Sequence, residues 1–212
     1  MTQLKKGLLI SIEGIDGSGK STLAHTVTET LTKLGFDVIL TKEPGDTFLG
    51  KQLRNILQTQ PIPIEAKAEY LLFAADRAQH FHEVVFQNLQ QNKIVISDRM
   101  ADSSLVYQGY GRGLDINTLH SINNWAMNGI HPDYTFYVKI PFAIAKERIL
   151  QRKTTIWDVE KDDTLIKKHI DGFDKLYKNT KKVVPLNGTQ QPEILVNQAL
   201  QKIMQWIEQI NT

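Results

Sequence analysis

The stretch of sequence that decides the fold is LLISIEGIDGSGKSTL, residues 8–23. Residues 7–13 form a short apolar run, which is typical of a strand that is buried on both faces. The loop that follows, GIDGSGKS at 14–21, matches the phosphate-binding pattern G-x-x-x-x-G-K-[ST]. Apolar residues then recur at helical spacing over 20–34. The stretch therefore predicts a strand, a phosphate-binding loop and a helix, in that order.

Farther along the chain, short apolar runs continue to alternate with helical patterns. Strands are expected at 36–41, 93–97, 134–140 and 182–186. Helices are expected at 50–57, 64–89, 115–127 and 142–151, with a last one that ends near residue 210. Such alternation predicts a parallel sheet, because right-handed crossovers place the helices on both of its faces. The expected fold class is α/β, with a doubly wound sheet of five parallel strands.

Composition limits the classes of protein to which this chain can belong. With 212 residues and 41% apolar content, it can bury a core as a single domain, expected to span 1–212. The formal net charge of +2 favours neither nucleic acid nor a membrane as a partner. The lack of cysteine excludes disulfides and thiolate zinc sites and agrees with a reducing cytoplasm. No apolar run is long enough for a signal sequence or a membrane span, so we expect a soluble, cytoplasmic protein.

The glycine-rich loop and the end of the third strand carry the predicted phosphate chemistry. Glycines allow backbone N–H groups to point at phosphate oxygens, and the next helix adds the partial positive charge of its N-terminus. Lys20 is expected to reach the β- and γ-phosphates, and the Ser21 hydroxyl to bind Mg²⁺. Asp98 is a second candidate for holding Mg²⁺, and Arg99 for neutralising the transferring phosphate; a surface ion pair is the alternative for both. The nucleotide-binding residues are then Gly14, Ile15, Asp16, Gly17, Ser18, Gly19, Lys20, Ser21 and Thr22.

Several motifs follow one another in a specific order along the chain. They are IEGIDGSGKST at 12–22, KEPGDT at 42–47, LLFAADRAQH at 71–80, SDRMADSSLVYQG at 97–109 and PDYTFYVKIP at 132–141. In these stretches the chain resembles bacterial thymidylate kinases, which are P-loop nucleoside monophosphate kinases. The resemblance implies an enzyme of dTTP synthesis that transfers the γ-phosphate of ATP to dTMP with Mg²⁺ as cofactor. It also implies a short lid over the donor phosphates, here at about residues 150–163, and a homodimer.

The resemblance assigns roles to side chains of the acceptor site. Phe73 would stack on the thymine ring, and Arg77, one turn later on the same helix face, would bind a carbonyl edge of the base. Tyr107 would exclude a ribose 2'-hydroxyl. A structural pair is the alternative for the first two residues, with Phe73 in the core and Arg77 bound to a nearby acid. The other residues implied to lie near the base, sugar or phosphate are Asp16, Glu43, Pro44, Arg54, Arg99, Ser104 and Gln108.

The source of positive charge at the transferring phosphate is a further point that the resemblance addresses. Some thymidylate kinases carry an arginine in the phosphate loop, and others supply it from the lid. This loop has none, so Arg148 and Arg152 are the implied candidates, with solvated surface charges as the alternative. The predicted catalytic set is Lys20, Arg99, Arg152, Arg148 and Asp16. The chain departs from the family pattern at Lys139, where an aspartate is usual, and at Phe173, where a tyrosine is usual.

Two other functions remain open at the level of the sequence. The nearest is a kinase for another pyrimidine nucleotide or deoxynucleotide, or for a deoxynucleoside, on the same fold. The second is a P-loop switch that binds a nucleotide, hydrolyses it slowly and needs no acceptor pocket.

Overall fold

A parallel sheet forms the centre of the molecule, whose computed structural model describes residues 4–59, 63–151 and 162–211. Its five strands lie in the order β2-β3-β1-β4-β5 and all of their pairings are parallel. Every residue of β1 is buried, as expected for the central strand. The predicted α/β class and five-stranded parallel sheet are confirmed. The strands are β1 (Leu8–Glu13), β2 (Val38–Lys42), β3 (Ile94–Asp98), β4 (Tyr134–Lys139) and β5 (Val183–Asn187).

Helices connect the strands and cover the sheet. A π-helical turn, Phe81–Val85, joins α3 to α4, and a second one, Leu105–Gly111, extends α5. In the described residues the helices are α1 (Lys20–Lys33), α2 (Phe48–Thr59), α3 (Ala66–His80), α4 (Phe86–Gln90), α5 (Ala101–Ser104), α6 (Ile116–Ala126), α7 (Phe142–Leu150), α8 (Asp163–Tyr177) and α9 (Pro192–Asn211). None of them combines the length with the apolar character that crossing a membrane requires.

The two faces of β1 contribute to different parts of the core. Leu8, Ile10 and Ile12 pack in one cluster with buried residues of α1 and α9. Leu9 points the other way and packs with Phe81 and other residues of the first π-helical turn. Side chains alternate in this manner along a strand, so helices must cover both faces. The sheet is therefore doubly wound, as predicted.

Two helical segments are missing from the sequence prediction: α5 with its π-helical extension, and α8. Their buried positions include Gly111, His169 and Gly172 instead of a regular apolar repeat. The two segments approach closely, since a Cβ on Gly111 would lie 2.5 Å from Nε2 of His169. The segment expected as one helix at 64–89 contains a π-helical turn, and β2 begins at Val38 rather than at residue 36.

The carboxyl edge of the sheet positions the candidate site. Because β1, β2 and β3 are parallel, the loop at 14–19, Glu43 and Arg99 follow their strands at the same edge. The end of α7 and the start of α8 flank the segment expected to form the lid. Most of that segment, residues 152–161, lies outside the described residues, and with it Arg152.

Candidate active site

The loop after β1 turns back tightly before α1 begins. Gly17 has a φ of 79°, which favours glycine, and a Cβ at this position would lie 3.2 Å from Cβ of Arg148. The N-cap of α1 is Gly19, and no side chain caps the helix, so its N-terminus suits an anion. Lys20 is buried; its ammonium donates to the carbonyl of Ile15 at 3.4 Å and lies 3.3 Å from Oδ1 of Asp16. The loop therefore has the form that its sequence predicts, with the lysine held over it.

The two predicted magnesium ligands meet in the structure. The hydroxyl of Ser21 donates to Oδ2 of Asp98 at 2.5 Å. Oδ1 of Asp98 is buried and has no hydrogen-bond partner among the described residues. A hydroxyl beside an unsatisfied carboxylate oxygen fits a hard cation such as Mg²⁺. The described ranges contain no group of three or more acidic, histidine or cysteine side chains that could hold a metal ion.

A second group of side chains, which we name the Arg99 cluster, consists of Asp16, Arg99 and Tyr107. Nη2 of Arg99 donates to Oδ1 of Asp16 at 2.6 Å and to the Tyr107 hydroxyl at 3.1 Å. That hydroxyl donates to Oδ2 of Asp16 at 3.0 Å. Arg99 has a φ of 74°, which is uncommon outside glycine and often accompanies a functional position. Together with Lys20, this cluster places two cations beside the phosphate loop.

The third group, which we name the Arg77 cluster, consists of Glu43, Arg77, Ser104 and Asn123. Arg77 is only 1% exposed. Its Nε donates to Oε2 of Glu43 at 2.8 Å, Nη1 to Oδ1 of Asn123 at 2.7 Å, and Nη2 to the Ser104 hydroxyl at 3.1 Å. Burial by itself raises the pKa of Glu43, but Arg77 and His80 hold it below its ordinary value. The alternative that Arg77 pairs with a nearby acid is therefore realised, and the pair lies inside the predicted site.

Consecutive serines connect the two clusters. The Ser103 hydroxyl accepts from Nη1 of Arg99 at 2.9 Å, whereas its neighbour Ser104 accepts from Arg77. Ser103 also hydrogen-bonds Oε2 of Glu13 at 2.7 Å. Burial raises the pKa of Glu13 to about 8, so this carboxyl is largely protonated at neutral pH. The short segment after β3 that contains Ser103 and Ser104 thus determines the spacing between the phosphate loop and the Arg77 cluster.

Two further predicted arginines lie on opposite flanks of the site. Arg54 of α2 donates from Nη1 to the carbonyl of Pro44 at 3.0 Å. Arg148 of α7 donates from Nη1 to the carbonyls of Gly17 and Gly188, both at 3.1 Å. Arg148 is therefore bound to the phosphate loop itself and is not a solvated surface charge.

The remaining predicted acceptor residues lie around the Arg77 cluster. Phe73 is half-buried on α3, one turn before Arg77. Gln108 is buried and donates from Nε2 to Oε1 of Glu69 at 2.8 Å. All of the described site residues except Ser21 and Thr22, which are exposed on α1, are thus buried or partly buried, or lie in the loop that precedes α1.

Comparison with known proteins agrees with this geometry. The family model described as thymidylate kinase matches residues 12–199. The chain is 48% identical over 143 residues to a thymidylate kinase of Halothermothrix orenii, covering 68% of this chain and 69% of that one. It is 36% identical over 199 residues to a thymidylate kinase of Finegoldia magna, covering 92% and 96% of the two chains. A crystal structure of thymidylate kinase from Ehrlichia chaffeensis matches with a TM-score of 0.76 and 30% identity, over 93% of this chain and 99% of that one.

The chain belongs to the thymidylate kinase family. Two of its departures from the family pattern, Lys139 and Phe173, are close to each other in the structure. Lys139 forms an ion pair with Oδ2 of Asp174 at 2.6 Å, and the Tyr137 hydroxyl donates to Oδ1 of the same carboxylate at 3.1 Å. Phe173 is fully buried and stacks on Tyr137 with ring centroids 5.4 Å apart. Each of the two residues therefore has a partner in the fold. Lys139 pairs with Asp174, the neighbour of Phe173 on α8, and Phe173 stacks on Tyr137 of β4.

Asn123 is one of the site residues that the family motifs and the sequence reasoning missed. Besides accepting from Arg77, its Oδ1 accepts from the Tyr70 hydroxyl at 2.9 Å, and the side chain is buried. A signal for it exists in the sequence, because Leu119, Asn123 and Ala126 recur at helical spacing on the buried face of α6. A polar residue on such an apolar face must find a buried partner. In this structure that partner is Arg77, the predicted base-binding arginine.

Proposed function

We propose that this thymidylate kinase family member transfers the γ-phosphate of ATP to dTMP, giving ADP and dTDP for dTTP synthesis. The observation that carries the proposal is the junction of the two clusters, where Ser103 binds Arg99 and Ser104 binds Arg77. Ligands held on the two sides of this segment meet at the carboxyl edge of the sheet. Transfer between two bound nucleotides requires such alignment, whereas a switch protein has no use for a second polar cluster.

On the donor side, the phosphate loop and α1 would bind the triphosphate of ATP. Lys20 and Arg99 supply positive charge where negative charge spreads during transfer. Ser21 and Asp98 would hold Mg²⁺ through the hydroxyl and the unsatisfied Oδ1. When bound, the ion neutralises phosphate charge. Asp16 lies between the two cations and, in this proposal, faces the acceptor sugar.

On the acceptor side, Arg77 would read the base. Nη1 carries two N–H groups and has one partner among the described residues, Asn123, so its second N–H remains for a carbonyl of thymine. Phe73, one turn earlier, would stack on the ring. Tyr107 would exclude a ribose 2'-hydroxyl, and Gln108 would line the base pocket. The residues proposed to position the acceptor phosphate are Glu43, Pro44, Arg54 and Arg99.

We propose one domain over 1–212 with a lid at about 150–163. Arg148 supports this assignment, because its bonds to Gly17 and Gly188 place a cation against the phosphate loop. Arg152, outside the described residues, is proposed to act beside it. Charge of this kind can raise the rate by about 10³ or more. We expect the enzyme to work in the cytoplasm on small nucleotides, without nucleic acid or a membrane as a partner.

A homodimer is proposed on an apolar surface formed by α3 and α6. Leu71 is 56% and Trp125 is 79% exposed, and a groove between them is lined by small side chains such as Ala75 and Ala78. Contiguous exposed apolar surface of this kind often binds a partner, here a second copy of the chain. Leu71→Asp is expected to convert the dimer to a monomer in sedimentation experiments. Leu34→Asp, at an equally exposed leucine directly after α1, should leave it dimeric.

The experiment that tests the proposed reaction compares acceptors with ATP as donor. We expect dTMP to have a higher kcat/KM than dUMP, dCMP, UMP or thymidine. A better rate with any of these would show that the substrate assignment is wrong. Calorimetry without ATP separates an enzyme from a switch, because only a protein with an acceptor pocket binds dTMP alone.

Two variants should separate the donor and acceptor sides. Lys20→Ala is expected to lower kcat by about 100-fold or more while dTMP still binds in calorimetry. Arg77→Met is expected to lose dTMP binding, because the N–H that reads the base is gone. Normal turnover in Lys20→Ala, or normal dTMP affinity in Arg77→Met, would contradict the assigned sides.

A further inference from the structure

The imidazole of His169, on α8, packs against the ring of Tyr107. The ring centroids are 4.2 Å apart, and the ring planes are inclined by 31°. His169 is 6% exposed and shares a small pocket with Ile15 and Asp16. Burial lowers the pKa of His169 to about 4, so the ring is uncharged at neutral pH. It can therefore pack on an aromatic face in the interior without the cost of burying a charge.

Tyr107 is held at two separate points. Its hydroxyl is bound by Arg99 and Asp16 at 3.1 and 3.0 Å, and its ring is contacted by His169. A phenol ring that is held only at Cβ and at its hydroxyl can still rotate about the axis that joins these two points. Contact on the ring removes this freedom, so the position of the ring depends on His169.

The backbone around this contact lies close to the imidazole. A Cβ on Gly111 would lie 2.5 Å from Nε2 of His169 and 2.9 Å from its Cδ2. Gly172 lies one turn after His169 on α8. A Cβ at Gly172 would lie 3.0 Å from the ring of Tyr110. Two glycines thus allow α8 to approach the π-helical turn that carries Tyr107. The close approach is what places His169 against the tyrosine.

We propose that His169 is a positioning residue that sets the preference of the acceptor site for deoxyribose over ribose. It acts through Tyr107 and does not contact the nucleotide. This inference rests on the proposed role of Tyr107 in excluding a 2'-hydroxyl. Removal of the imidazole opens space into which the Tyr107 ring can withdraw, because packed interiors are otherwise too dense to accept such a movement. The 2'-hydroxyl of a ribonucleotide then fits.

The test compares dTMP with ribothymidine 5'-monophosphate, which differ only in the 2'-hydroxyl. The measured quantity is the ratio of their kcat/KM values. His169→Ala is expected to lower this ratio by roughly tenfold or more, the range that rejection of one small group supplies. His169→Phe keeps a flat ring and is expected to retain the ratio. Loss of folded enzyme reduces both rates equally and leaves the ratio unchanged, so a merely structural role would not move it.

Phe173→Leu is the matched control. Phe173 is one turn farther along α8 and fully buried, but it contacts Tyr137 and Tyr177. Its replacement should lower stability and retain the ratio. If His169→Ala does not fold, His169→Val keeps an apolar side chain that is smaller than the imidazole, so it still opens part of the space and should lower the ratio in the same direction.

Tyr107→Ala distinguishes failure of this inference from failure of the proposed site. If Tyr107→Ala lowers the ratio and His169→Ala and His169→Val do not, the role of His169 is wrong and the role of Tyr107 stands. If Tyr107→Ala leaves the ratio unchanged, both roles are wrong. The double variant should match Tyr107→Ala alone, since the histidine acts only through the tyrosine. An additive effect would overturn the inference.

Discussion

Replacing Arg77 by methionine is expected to destabilise the protein as well as to abolish dTMP binding. The side chains of Arg77 and Glu43 are 2% and 3% exposed, and their N···O distance is 2.8 Å. Methionine fills similar space but leaves the Glu43 carboxylate in the interior, with His80 at 3.0 Å as its other ionisable partner. Removing one member of a buried ion pair costs about 3–5 kcal/mol of the free energy of unfolding. Ser104 and Asn123 also lose a donor.

The pH dependence of the effect tests its cause. In the native protein the pKa of Glu43 is below its ordinary value of 4.5, so its contribution to stability is present above pH 4.5 and is lost as the pH falls. Without Arg77, burial becomes the dominant influence and raises the pKa of Glu43. Stability of the variant is then lost as the pH rises. The destabilisation by Arg77→Met should therefore be larger at about pH 8 than at about pH 5.

Urea unfolding followed by tryptophan fluorescence measures this effect. Arg54→Met is the matched control: Arg54 is partly exposed and its guanidinium donates to one carbonyl, so its loss should cost about 1 kcal/mol or less. Combining Arg77→Met with Glu43→Gln removes the buried carboxylate charge that has lost its arginine partner. Part of the stability should then return, while dTMP binding stays lost. If Arg77→Met lowers the free energy of unfolding by no more than Arg54→Met does, the buried ion pair does not have the expected effect. Additive effects of Arg77→Met and Glu43→Gln would lead to the same conclusion.

Three further predictions concern the metal, a buried acid and the packing of α8. Asp98→Asn should raise the Mg²⁺ concentration needed for half-maximal rate about tenfold or more, and an unchanged Mg²⁺ titration would remove Asp98 from the metal site. Glu13→Gln should become more stable than the native protein as the pH rises from 4.5 towards 8, by up to about 4 kcal/mol, because the raised pKa of Glu13 makes its ionisation destabilising; urea unfolding at several pH values that shows a constant difference would contradict this. Gly111→Ala should cost about 1–3 kcal/mol, since its Cβ would displace His169, and a native melting temperature would argue against that contact.

The sheet and the phosphate loop could be predicted because their signals are local. A buried parallel strand appears as a continuous apolar run, and the loop is a contiguous motif whose function depends mainly on its backbone. α8 could not be predicted in this way. It buries His169 and Gly172, which break the apolar period, and the reason for them is a close contact with a distant segment. The apolar period of one helix carries no information about a contact with a distant segment.

The family motifs identified most of the site residues, but not the side chains with which each of them forms hydrogen bonds. Arg77 is a clear example: its position on a helix is readable from sequence, whereas its partners Glu43, Ser104 and Asn123 come from three other segments. They meet because β2 lies beside β3, and α6 packs against α3. Asn123 belongs to no motif and was missed for this reason.

What the sequence determined by itself is a phosphate loop between a buried strand and a helix, an α/β sheet and the order of the thymidylate kinase motifs. Only the tertiary structure decided that Ser103 and Ser104 bind different arginines, that Asp98 keeps a buried oxygen without a partner, and that His169 packs on Tyr107. The physical reason is the range of the interactions involved. Backbone conformation and apolar periodicity depend on neighbours in the chain, whereas buried polar contacts depend on which distant segments the packed sheet brings together.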